Sequence, residues 1–124
     1  MCTILLPIKP EYVDKIIGQS KLYEYRKKGC KQKVEKIVIY CTAPVKKIVA
    51  EVLVEDLISN SPSQLWNMTK QYSGISKSKY MEYFENKDIA FAFKLGKVTK
   101  YETPKTLQEL GINYYPQSYV YLNN

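Results

Sequence analysis

Gly18-Gln19-Ser20-Lys21-Leu22-Tyr23-Glu24-Tyr25-Arg26 joins a helical pattern to a strand pattern, and its charges are set by that junction. From residue 22 to residue 28 the side chains alternate in the β manner. Tyr23, Tyr25 and Lys27 share one face, and Leu22, Glu24, Arg26 and Lys28 share the other. Glu24 and Arg26 therefore leave the backbone together, whereas Lys21 has the opposite parity and reaches them only from the turn that precedes the strand. Upstream, residues 3–8 form a short apolar run that reads as a first strand. Pro10 suits the first turn of a helix, where its missing N–H costs nothing. Tyr12, Val13, Ile16 and Ile17 follow at helical spacing, and Gly18 stands where such a helix ends.

Downstream, Lys28-Gly29-Cys30-Lys31 reads as a turn or loop. Residues 37–42 and 47–54 are rich in Ile and Val and are parted by Ala43-Pro44, which predicts two strands. Their alternation puts Ile48, Ala50, Val52 and Val54 on one side and Glu51 and Glu55 on the other. Ser61-Pro62 is an N-cap and first-turn pair for a helix with Leu65, Trp66 and Thr69 at helical spacing. Ser73-Gly74 ends it, and Ser76 caps a second helix running to Phe84. Residues 88–101 return to strand patterning, with Ile89, Phe91, Phe93 and Leu95 directed one way and Ala90 and Ala92 the other. Residues 106–110 with Gly111 predict a helical turn, and residues 118–122 a closing strand. This order predicts an α+β chain: a small mixed β-barrel with short helices at its mouth. A parallel sheet would need regular βαβ alternation.

At 124 residues the chain has the length of one domain, residues 1–124, since domains cluster around roughly 100–150 residues. Lys and Arg number 19 against 12 Asp and Glu, a formal charge of +7 that favours anionic partners, nucleic acid first. Between Lys21 and Lys36 seven basic residues face two acidic ones, so this hairpin-sized segment carries a net +5. Lys97 and Lys100 would extend it into one basic face if the two segments were neighbours. Three cysteines in no C-x-x-C pair argue against a disulfide framework or a zinc site and for a reducing compartment. The chain has no histidine, which removes His-based triads and His-ligated metals. No cofactor or metal is expected. The N-terminus does not lead one to expect a signal peptide, and no run of about 18 apolar residues is present, so the expectation is a cytoplasmic protein with no membrane partner.

The Gly18–Arg26 segment resembles the ASCH signature G-x-K-x-x-E-x-R, with one extra residue between Gly18 and Lys21. Ile8-Lys9-Pro10 before the helix, Tyr40-Cys41-Thr42-Ala43-Pro44-Val45-Lys46, Ser73-Gly74-Ile75-Ser76 and Pro116-Gln117-Ser118-Tyr119 are similar to the landmarks that follow in that family. The last two resemble a subset described as predicted transcriptional regulators. The resemblance covers nearly the whole chain. It implies a PUA-like barrel with a cleft beside the Lys-Glu-Arg segment, used for RNA or modified nucleotides in transcription or translation regulation. Some small relatives hydrolyse acylated cytidine with a threonine nucleophile in G-x-K-T-x-T-x-R. Here Glu24 holds the nucleophile's position and Leu22 the other threonine's, so that reaction loses its nucleophile.

Arg grips phosphate with two parallel hydrogen bonds, and a carboxylate accepts from a base amino group. Lys21, Glu24 and Arg26 are therefore the expected ligand contacts, with Lys9 at the end of the first strand adding a charge. Twelve tyrosines and one tryptophan offer rings for stacking. Tyr40, Trp66 and Tyr119 are expected near the mouth, and Tyr23 and Tyr25 inside or under the barrel. Thr42, Gln117 and Ser118 are candidates to read a ligand's edge, turn and capping roles being the plainer account of all three. Two functions stay open. One is a binding module for RNA or a nucleotide. The other is a small hydrolase or ribonuclease in which Lys21 and Glu24 form an acid–base pair. An acidic protein is a further possible partner for the basic face.

Overall fold

The computed structural model describes residues 2–122. Strand β1 (Cys2–Ile8) leads into α1 (Pro10–Ile17), followed by β2 (Tyr23–Arg26), β3 (Val34–Cys41) and the long β4 (Lys47–Asn60). Helix α2 (Pro62–Thr69), a 3-10 turn at Lys70–Tyr72 and α3 (Lys77–Tyr83) precede the longest strand, β5 (Ala90–Lys105). A 3-10 turn at Gln108–Leu110 and the short β6 (Val120–Leu122) complete the described residues. The six strands form one mixed sheet in the order β2-β5-β4-β3-β1-β6, with β1 and β3 parallel and the other neighbours antiparallel. This is the α+β architecture of a small mixed sheet with short helices.

All three helix starts expected from sequence form as the residue types require. Pro10 opens α1, and the Ser61 and Ser76 hydroxyls accept from the Gln64 and Lys79 N–H groups at the heads of α2 and α3. The helix α1 ends at Gly18, but the left-handed residue of that turn is Gln19, at φ 65°. Two strands run further than their side-chain patterns suggest. In β4 the charged pair Glu55-Asp56 looks like an end, yet pairing with β5 continues to Asn60↔Ala90. Register shifts between Val52 and Val54 and between Val54 and Asp56 absorb the broken alternation, because a bulge moves the inward parity by one residue.

The six lysines and one arginine of the 21–36 segment do not sit on a hairpin. Strand β2 pairs with β5, through Tyr23↔Lys94 to Arg26↔Phe91, and three other strands separate it from β1. Backbone pairing of β2 is decided by the long central strand rather than by sequence proximity to β3.

The sheet buries both of its faces in places. On one side β1, α1, β3, β4 and β5 enclose Ile4, Leu6, Ile16, Ile37, Ile39, Val52 and Phe93. On the other side α2 and α3 cover the β2–β5 end, where Tyr25, Leu65, Trp66, Tyr80, Phe84, Ala90 and Ala92 pack together. A third cluster joins Leu5, Val38, Tyr40 and Ile48 to Leu107 and Ile112. Ala90 and Ala92 are thus core residues, small because rings lie over them, while Ile89 precedes the strand and is 55% exposed. Tyr80 is central to the ring cluster, with centroids 4.9 Å from Tyr25, 4.8 Å from Trp66 and 4.9 Å from Phe84. Its hydroxyl donates to the Pro62 carbonyl at 2.7 Å, tying α3 to α2. Tyr80→Phe should keep the packing and lose about 1 kcal/mol of stability, read from the denaturation midpoint.

Candidate functional site

A cleft of about 570 Å³ opens where the end of β1, the start of α1, strand β2 and helix α3 meet. Its walls carry Lys9, Lys21, Glu24 and Arg26, all four drawn from the sequence expectation, together with Tyr12, Tyr25, Lys27, Lys79, Glu82 and Tyr83. Helix α1 brings Tyr12 because Pro10 starts a turn immediately after Lys9. Strand β2 brings Glu24 and Arg26 on one face because they are two residues apart. Tyr25 leaves the other face, toward the ring cluster, as its parity requires.

Lys21 lies before β2 and is held by long-range contacts. Its ammonium donates to the Ser73 carbonyl at 2.6 Å and sits 5.2 Å from the Tyr12 ring centre and 4.9 Å from that of Tyr25. The backbone on each side is fixed as well. The Leu22 N–H donates to the Tyr72 carbonyl, and the Lys15 ammonium donates to the Gly74 carbonyl at 3.1 Å. Only 3% of Lys21 is exposed, and 8% of Glu24. Burial lowers the Lys21 pKa to about 8, against the attraction of Glu24 and with some help from Lys15. Burial likewise raises the Glu24 carboxyl above its ordinary range, outweighing Arg26 and Lys21.

Arg26 reaches across to β1, where one guanidinium nitrogen donates to the Pro7 carbonyl at 3.1 Å. Its Nε lies 3.5 Å from the Glu24 carboxylate, within ion-pair range but without hydrogen-bond alignment. That buried Nε has no hydrogen-bond partner among the described residues. At the outer rim the Lys27 ammonium lies 4.7 Å from the Tyr83 ring centre. The cleft thus combines a donor-rich guanidinium, a buried ammonium, a carboxylate and the ring faces of Tyr12 and Tyr83. Such a set suits an anion carrying a planar group.

The other expected contacts lie elsewhere. Tyr40 is buried in the third cluster beside Leu107 and Ile112, because the inward parity of β3 places it there. Trp66 is packed under Tyr80 by α2, so its ring is core rather than mouth. Tyr119 is half-buried against the main cluster, its ring paired edge-on with Tyr121. Thr42 starts the turn after β3, its N–H donating to the Ile8 carbonyl and its own carbonyl accepting from Val45. Gln117 and Ser118 are exposed and do not line the cleft. Sequence reading missed Tyr12 and Tyr83 as cleft rings. Tyr12 stands two residues after Pro10 and was counted to the helix's apolar stripe, and nothing local marks Tyr83 as facing β2.

Among the described residues no group of three His, Cys, Asp or Glu side chains is placed to hold a metal, and no helix is long and apolar enough to cross a membrane. The three cysteines are free thiols.

Comparison with known proteins adds to this geometry. The family described as "Domain of unknown function (DUF365)" matches residues 1–114. The ASCH domain-containing ribonuclease of Zymomonas mobilis is 27% identical over 92 residues, spanning 73% of this chain and 62% of that protein. ATP synthase subunit alpha of Ureaplasma parvum is 34% identical over 121 residues, covering 97% of this chain but 15% of its own length. The large ribosomal subunit protein uL22 of the same species is 37% identical over 90 residues, covering 73% of this chain and 29% of its own length. The chain therefore corresponds to a small part of the latter two relatives. The crystal structure of ASCH from Zymomonas mobilis superposes at a TM-score of 0.89 with 25% identity, covering 98% of this chain and 87% of that one. The N-terminal domain of Staphylothermus marinus McrB shares the fold at a TM-score of 0.53 and 17% identity.

Proposed function

The chain belongs to the DUF365 family and has the ASCH fold, and from that premise we propose that its cleft binds RNA or a modified nucleotide. The observation that carries the reading is the meeting of Lys21, Glu24 and Arg26, separated by up to five positions in sequence, in one cleft with two ring faces. Arg26 and Lys21 supply the phosphate contacts, Glu24 accepts from a base amino group, and Tyr12 or Tyr83 stacks on the base. Lys9 and Lys27 add charge at the rim. That one relative is named an ASCH domain-containing ribonuclease supports RNA as the ligand class. A regulatory role in transcription or translation would extend the same binding.

Fluorescence anisotropy with single-stranded RNA at low salt tests this. Arg26→Ala should weaken binding about tenfold, as loss of a charge-assisted contact does, and the affinity should fall steeply as salt rises. Binding unchanged by Arg26→Ala, or flat against salt, would count against the cleft. A pull-down that survives nuclease treatment would instead point to an acidic protein partner.

One observation favours a second reading, catalysis on RNA or a modified nucleoside. Burial moves the Lys21 and Glu24 pKa values toward each other and toward neutrality, which is what an acid–base pair needs. Turnover of RNA that disappears in Glu24→Gln while binding persists would establish it. Binding without products would leave the module as a reader.

A further inference from the structure

Beside the cleft the chain presents exposed aromatic and basic groups that the cleft does not use. The β3–β4 turn, residues 42–46, is joined to the cleft wall by the Thr42 N–H bond to the Ile8 carbonyl at 3.0 Å. Ile8 and Lys9 are themselves cleft residues, and Cys41 stands opposite Ile8 in the parallel β1–β3 pair. Thr42 is thus one strand spacing from the rim, and Lys46, next to Lys47 that stands opposite Cys41 in the β3–β4 pair, is two. It ends in Lys46, a residue at φ 54°, where an asparagine or glycine would sit with less strain. The Lys46 ammonium lies 5.5 Å from the ring centre of Tyr115.

Tyr115 comes from the segment between the last 3-10 turn and β6. That segment is pinned by Ile112 and Pro116, both buried, which turns Tyr114 and Tyr115 outward. They are 55% and 65% exposed, large rings left in water, Tyr115 beside Lys46. Exposed rings interleaved with cations are what successive bases and phosphates of a single strand require.

We propose that the Lys46–Tyr115 face continues the cleft as a track for single-stranded RNA, so that the ligand is a polymer and not a free nucleotide. This rests on the cleft reading above. One base occupies the cleft, the strand crosses Lys9 and the turn at residues 42–46, and the next base stacks on Tyr115 while Lys46 meets the intervening phosphate.

The test measures anisotropy of fluorescein-labelled oligouridylates of three and twelve nucleotides with the full chain. Wild type should bind the longer probe at least about tenfold more tightly. Tyr115→Ala and Lys46→Asn should each weaken the twelve-mer by about five- to tenfold and the three-mer by less than about twofold. Both residues are exposed, and asparagine accepts the left-handed backbone, so neither change threatens folding. Equal affinity for the two probes, or a twelve-mer indifferent to both variants, overturns the track while Arg26→Ala still reports on the cleft. If Arg26→Ala affects neither probe and the turn variants still weaken the twelve-mer, the face binds RNA apart from the cleft, and both the cleft reading and its continuation into the turn fall. Polyglutamate bound at this face, with oligouridylate indifferent to the variants, would reassign it to an acidic protein and overturn the proposal.

Discussion

Gly74→Ala is expected to destabilise the protein by about 3 kcal/mol and to disable the cleft with it. Gly74 has φ +68°, a conformation that costs an L-residue with a Cβ roughly 1–2 kcal/mol. The added carbon would also stand 2.5 Å from Cβ, 2.6 Å from Cγ and 2.8 Å from Cδ of Lys21. Overlap with a mobile side chain would be relieved cheaply. Lys21 is not mobile: it is buried, its ammonium is bonded to Ser73, and two rings flank it. Either the 73–75 loop or Lys21 must move, and each movement breaks the contacts that hold the other. Denaturant unfolding should show a lower midpoint with an unchanged slope. A loss under about 0.5 kcal/mol would mean the loop yields independently of Lys21.

The second large effect is a pH dependence centred on Lys21. Its folded pKa of about 8 lies below its unfolded value of about 10.5. Between those values the unfolded chain binds the extra proton, so stability must rise with pH. The slope approaches roughly 1.4 kcal/mol per pH unit, and the whole window is worth roughly 3 kcal/mol. Below pH 8 the charged ammonium is buried in both protein and cost, and the stabilisation is absent. From about pH 9 the Cys30 and Cys41 thiols, and from about pH 10 Tyr25 and Tyr80, oppose the gain, because burial makes them hold their protons in the folded state beyond their ordinary values. Denaturation curves from pH 7.5 to 10 should therefore show a rise in wild type that Lys21→Met abolishes. A wild-type pH dependence that Lys21→Met leaves unchanged would show that Lys21 is solvated.

The elements themselves were legible because each depends on neighbours in sequence. Pro10 opens α1, Ser61-Pro62 opens α2, and Ser76 caps α3, since a cap needs only the residues of the first turn. The pairing of Glu24 with Arg26 on one face followed from the period of a strand. The extents of β4 and β5 were not legible, because pairing between backbones carries them past Glu55-Asp56 through bulges that side-chain alternation does not encode. The aromatic assignments failed for a related reason. Tyr40 and Trp66 have the same chemistry as Tyr12 and Tyr83, and only the packing of α2, α3 and the last 3-10 turn decides which rings are covered.

By itself the sequence determined an α+β order of elements, a basic chain without histidine, and a Lys–Glu–Arg set whose spacing on a strand fixes which two face together. Tertiary structure alone decided that Lys21 would join them. Its parity points it away, and it is brought into the cleft by Ser73, some 52 residues on, and by rings from α1 and β2. It also decided that β2 lies against β5 rather than β3, which put the cleft between β2 and the end of β1. The physical reason is common to both. Local geometry sets the direction in which a side chain leaves the backbone, whereas burial and long-range hydrogen bonds set what it meets.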